Sequence, residues 1–188
     1  MSDSLRHLLT SVHGLVFGGA FLVGFPLALV ALAGTRGIAE PAPPDREQKF
    51  LAYGLWIMAV LGWAAAMLGE YAIYPWYRAK PPSGLGDFTQ YPRSLLLASP
   101  HTAWLHDFGM EWKEHVSWLA PITLTMVAYV YTKYGASLRQ HRGLRLTVLA
   151  FTVVSFGAAG VAGVFGWALD SFAPVGAAPT HLADDGAP

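Results

Sequence analysis

Apolar residues in this chain do not alternate with polar ones. They come in long runs, separated by polar, proline-rich or glycine-rich breaks. The runs cover about 13–33, 50–74, 112–134 and 146–169. A run of about 20 apolar residues, rising ~1.5 Å each, crosses a hydrocarbon core of about 30 Å. The pattern predicts an all-α protein: an integral membrane up-down four-helix bundle, with a short interfacial helix over 99–111 ahead of the third span. The membrane domain then occupies 1–170. The remainder, 171–188, is rich in Ala, Gly, Pro and Asp and is expected to be disordered.

The third run needs a closer look. From Pro100 a helix could reach Tyr134, about 52 Å, too long to be all transmembrane, yet the strictly apolar part, Val116 to Tyr131, supplies only about 24 Å. The shortfall draws Glu111–His115 toward the headgroup level or into the bundle. Ser99-Pro100 is a good helix opening, serine as the cap and proline at the first helical position. Pro26 and Pro121 should kink their spans, and Gly109 could bend the helix before the third. A rival reading takes 1–33 as a cleaved signal peptide, with Arg6, an apolar core and Ala31-Leu32-Ala33 as the cleavage signal.

Composition agrees with a membrane assignment. Hydrophobic residues make up 54%, charged residues 13%, and mean hydropathy is +0.39. The 188 residues leave no room for a separate soluble domain beside four spans. A formal net charge of zero points to no nucleic-acid partner. The chain has no cysteine, which excludes disulfides, thiolate metal sites, covalent c-type haem and cysteine-held iron–sulfur clusters.

Topology concentrates the candidate chemistry. In an up-down bundle His13 starts the first span, Glu70 ends the second, His115 starts the third, and Trp167 and Asp170 end the fourth. All lie at one face, which the segment holding His101, His106 and Glu111 would cover. With both termini outside, seven basic residues fall on cytoplasmic loops and five on the other side. The positive-inside rule then sets the histidine-rich face outward, periplasmic for a bacterial cytoplasmic membrane.

Two histidines on different helices at one level are the minimal requirement for a b-type haem, with His13 and His115 as the axial metal ligands. Gly14 and Gly18, with the row Gly157, Gly160, Gly163 and Gly166, would make room for a macrocycle. His101 or His106 would serve as a spare ligand or at a quinone site, and Glu70, Glu111 and Glu114 could pass protons from a quinol. A non-haem metal is the alternative, because Asp107, Glu111 and His115 share a helix face and could join Glu70 and His13. The plainest reading needs no cofactor: His, Trp and Glu are ordinary at membrane interfaces, and His115 could simply pair with Glu111 one turn back.

Four spans with His13 and His115 near the ends of the first and third resemble, over 8–170 and as architecture only, the small four-helix membrane-bound b-type cytochromes. That resemblance implies an electron-transfer subunit exchanging electrons with quinol or with a larger redox complex. Cytochromes of this sort often hold two haems toward opposite faces. Here the far face offers only His141, in a loop. The other class left open is a cofactor-free accessory or assembly subunit of a membrane complex.

Overall fold

The structure, a computed structural model, describes residues 3–33 and 45–173. All regular structure among these is helical. The first helix is built from α1 (Asp3–Ser11), a π-helical stretch π1 (Val12–Gly19) and α2 (Ala20–Ala33). The second comprises α3 (Asp45–Leu68), π2 (Gly69–Ile73) and α4 (Tyr74–Tyr77). Two short helices follow, α5 (Pro92–Leu97) and α6 (Pro100–Trp104), then π3 (Leu105–Met110), π4 (Trp112–Val116) and α7 (Leu119–Tyr134). A 3-10 turn, Gly135–Arg139, leads into α8 (Arg142–Phe172). Three of these helices, Ser4–Ala33, Asp45–Tyr77 and Arg142–Phe172, are long and apolar enough to cross a membrane. The second helix begins at Asp45, so 45–49 of the loop expected over 34–49 are helical; 34–44, the junction after Ala33 and the tail from 174 lie outside the described residues, and 171–172, expected in that tail, still belong to α8.

Neighbours along the chain pack antiparallel. Gly24 meets Met58, Gly62 meets Phe21 and Gly69 meets His13, so numbers rise on one helix as they fall on the other. Trp56 and Trp63 of α3 donate through Nε1–H to Thr132 and Thr125 of α7, both at 3.0 Å. Between α7 and α8, the Ser155 hydroxyl donates to the Ala120 carbonyl at 2.8 Å. α8 returns to α2, where Phe25 stacks on Phe156 with centroids 3.9 Å apart and Gly163 touches Leu22.

The interior holds Phe21, Leu32, Leu55, Leu124, Val127 and their neighbours. Buried Thr123 and Thr152 return their hydroxyls to backbone carbonyls one turn back, so no polar atom there is stranded. Large apolar side chains also cover the outside: Phe50 is 80% exposed, Leu15 77%, Leu27 74% and Val23 73%. Apolar surface on this scale needs lipid or protein against it.

The short third apolar run has a clear counterpart. α7 spans only 16 residues, yet it is heavily buried, with Ala120, Pro121, Leu124, Val127, Ala128 and Tyr131 all inside. The segment before it is helical from Pro100 almost without interruption, but in π-helical form through π3 and π4. Gly109 lies within π3, where a Cβ would stand 3.0 Å from the Phe165 ring. Pro26 leaves α2 helical on both sides. Gly14 and Gly18 receive no close neighbouring helix: nothing lies within 4 Å of a Cβ at Gly14, and one at Gly18 would meet only the His13 carbonyl of its own helix. The tight approaches are at Gly24, Gly62, Gly69, Gly109 and Gly166 instead.

A second apolar cluster closes one end of the molecule. Tyr77, Leu96, Leu105, Met110, Leu169 and Ala173 bury one another there. Ser99 caps α6 by accepting from the His101 N–H at 3.3 Å, and the Thr102 hydroxyl donates to the Leu96 carbonyl at 2.7 Å. These contacts fold α5 and α6 over the end at which the candidate chemistry gathers.

Candidate functional site

π-helical turns are uncommon and cluster at functional sites, because the extra residue per turn re-aims every side chain beyond it. All four among the described residues belong to the same end. They carry His13, Glu70, His106, Lys113, Glu114 and His115.

His13 faces the second helix. Its Nδ1 lies 2.8 Å from the Ala65 carbonyl oxygen. A carbonyl only accepts, so Nδ1 carries the hydrogen, and the neutral ring keeps its lone pair on Nε2. The ring rests on Gly69, where a Cβ would come within 2.8 Å of Cε1. That position therefore has to be glycine for the imidazole to enter.

Lys113 comes in from π4. Its Nζ would stand 3.0 Å from a Cβ at Gly166, so α8 also yields space to a polar side chain. The ammonium lies within electrostatic range of His13 on one side and of Asp170 on the other. Glu114 follows Lys113 on π4, and Glu70 of π2 is half-buried at the same end. Trp112 anchors π4 by donating from Nε1–H to the Ala158 carbonyl at 3.3 Å.

His106 closes the outer rim. Arg93 Nε–H donates to its Nε2 at 3.2 Å, so Nδ1 carries the hydrogen and donates to the Tyr77 hydroxyl oxygen at 2.9 Å. Burial, and then the Arg93 guanidinium, push its pKa below the ordinary 6.5, which favours the neutral ring these bonds require. Arg6 completes the rim, donating to Gln90 at 3.0 Å with its guanidinium carbon 5.3 Å from the Trp76 ring centroid.

The remaining sequence candidates lie elsewhere on the surface. The His115 side chain is 69% exposed, and its Nδ1 is shared between the Glu111 carbonyl at 3.1 Å and the Glu111 carboxylate at 3.3 Å. Glu111 itself is exposed, as is His101. Gly14 and Gly18 flank His13 along π1, with open space beside Gly14. The fold thus seats His13 and Lys113 between helices and holds His106 at the rim of the same end, while His115, Glu111 and His101 stay exposed there. Among the described residues no three His, Asp or Glu side chains converge as a metal-holding group.

As a haem ligand set these residues fit only in part. His13 has the form of a ligating imidazole, one nitrogen tied to a backbone carbonyl and the other carrying the lone pair. His115, bonded to its own turn, does not complete a bis-histidine pair with it in this arrangement. Comparison with known protein families, curated proteins and solved structures returned no match to the chain.

Lys113, Tyr74, Tyr77 and Arg93 are members of the site that the sequence pattern did not single out. Lys113 did carry a signal. It is a cation directly before an apolar run too short to span by itself, and such a residue is drawn into the bundle with its neighbours.

Proposed function

We propose that this chain is an integral membrane subunit of an electron-transfer assembly. Its four long helices cross the bilayer up and down, and the His13–Lys113 end exchanges the protons that accompany quinol oxidation or reduction. The observation that carries this reading is the seating of the Lys113 Nζ against Gly166 of α8, at the end where the His13 ring is seated against Gly69. A cation set among apolar helices is costly, and such residues mark proton or ion pathways. The neutral His13 ring offers Nε2 as acceptor beside the Lys113 ammonium as donor, and the carboxylates of Asp170, Glu114 and Glu70 continue the chain of exchangeable groups. The electrons pass to a partner redox subunit. Loop charges orient this end to the periplasmic side of a bacterial cytoplasmic membrane.

The test is quenching of tryptophan fluorescence by a short-chain quinone in detergent-solubilised protein. Saturable quenching is expected for the native chain, weakened by Lys113→Met and by His13→Phe while circular dichroism stays helical. Linear, unsaturable quenching in all three proteins overturns the reading.

A second reading rests on the His13 tautomer alone: a b-type haem taking Nε2 of His13 as one axial ligand. When bound, that group would supply one-electron chemistry. The reduced-minus-oxidised absorption spectrum decides it. Haem bands lost in His13→Ala but kept in His115→Ala support it, and a featureless spectrum removes it. If both tests fail, the remaining role is that of an accessory subunit docking through exposed aromatic residues such as Trp104 and Phe108.

A further inference from the structure

At the end of the bundle opposite His13, a cavity of about 570 Å³ opens between the start of α3 and the end of α7. Lys49 comes to it from α3 and Lys133 from α7, with Asp45 at the rim, so the charged lining carries one net positive charge. Tyr131 and Tyr134 supply aromatic wall. The Trp56–Thr132 hydrogen bond at 3.0 Å joins the two helices across the floor. A second hollow, about 380 Å³ and lined by Tyr53, Trp56, Ile57, Val60 and Leu61, runs from it along α3. Tyr53 and Trp56 line both, so the two adjoin along α3.

The combined shape is polar and cationic at one end, apolar along the rest. It lies where α3 passes from Asp45–Lys49 into the apolar run from Phe50, the depth of a lipid headgroup if the helices span the bilayer. Ile57 and Val60 are 60% and 63% exposed, leaving the apolar arm open to lipid along its length. Among the described residues no ion pair holds the ammonium of Lys49 or Lys133.

We propose that this hollow binds one anionic phospholipid, its phosphate between Lys49 and Lys133 and one acyl chain along Ile57, Val60 and Leu61. The charge match is one to one: a phosphodiester carries a single negative charge, and the lining carries a single positive one. Two lysines on different helices clamp the headgroup, and aromatic rings at the junction cover the glycerol region, as aromatic residues do at membrane interfaces. The lipid would tie α3 to α7 at the end where their direct contact opens. The proposal rests on the membrane reading but not on the redox chemistry of the other end.

Native mass spectrometry of the full chain released from detergent tests it, with phosphatidylglycerol, phosphatidylcholine and inorganic phosphate as separate probes. One phosphatidylglycerol is expected to be retained about thirtyfold over phosphatidylcholine, the preference given by two surface lysines. Lys49→Gln/Lys133→Gln should abolish the preference, and Val60→Trp, which fills the apolar arm, should cut retention of both lipids. Equal retention of the two lipids, or a preference that survives the double lysine variant, overturns the site. Inorganic phosphate displacing phosphatidylglycerol at equal concentration overturns the acyl arm, leaving a bare anion site. A chain that stays monodisperse without detergent overturns the membrane reading itself, whereas one that needs detergent yet shows no lipid preference loses only this site.

Discussion

The two ends of this all-helical structure differ in how the backbone is wound. At the Lys49–Lys133 end α3 is a regular helix, α7 runs regularly until its last turn meets the 3-10 segment, and the polar groups stand at the helix ends. At the His13 end every participating helix except α8 turns π-helical, and polar groups enter between the helices. The regular end meets its charges by leaving them at the surface. The other end needs extra residues per turn, and glycine at the contact points, to admit an imidazole and an ammonium without displacing the helices. The cost of irregular winding thus falls only where polar side chains are drawn inward.

The sharpest way to break that contrast is to fill the seat of His13. Gly69→Val should cost about 1–3 kcal/mol, as overpacking does, and lower the apparent melting temperature in detergent. Gly54→Ala, on the same helix but with open space around it, should be neutral or stabilising by up to about 1 kcal/mol. If both changes behave alike, the two ends do not differ in packing as described. The pair His13→Ala/Gly69→Val should recover much of the Gly69→Val loss, a coupling that a double-mutant cycle reads directly.

The rim supplies a smaller effect with a sign. His106 has a folded pKa below its ordinary 6.5, so below that pH the unfolded chain binds more protons than the folded one. The contribution of this rim is complete above pH 6.5, declines as pH falls through the interval between the two values, and levels off once the folded ring is protonated as well. Protection factors of the α5 and α6 amides, corrected for the intrinsic pH dependence of exchange, should therefore fall as pH drops from 6.5 toward the lower folded value. His106→Asn should flatten that dependence. Tyr77→Phe removes the acceptor from Nδ1–H and should cost about 1 kcal/mol. At the regular end the smallest effect is expected: Trp56→Phe loses one exposed hydrogen bond to Thr132, about 0.5 kcal/mol, with no change in pH dependence.

The helices were legible because their cause is local. A run such as Leu146 to Leu169, without a charge, has one economical conformation in an apolar solvent, and no tertiary contact is needed to infer it. The gathering of polar residues at one end was legible too, since up-down connection of antiparallel helices places residue 13 beside the stretch 65–69. Which side of a helix each residue takes was not. His115 and Lys113 are two apart on π4, yet one lies outside on its own turn and the other is seated against Gly166. A regular 3.6-residue repeat projected through 100–116 misplaces both, because each π turn shifts the register, and nothing in the residue types announces the shift.

By itself, then, the order of residues determined the class: an all-helical chain with helices long and apolar enough to cross a membrane, no cysteine, and an outer surface rich in apolar side chains. Only the tertiary structure decided that His13 meets Ala65 and Gly69, that His106 spends both ring nitrogens on Arg93 and Tyr77, and that Lys113 takes the place expected for His115. Burial free energy depends on how many apolar residues there are and how long they run, quantities a sequence states outright. Facing depends on helical winding, and here the winding departs from the regular repeat just where the polar groups are.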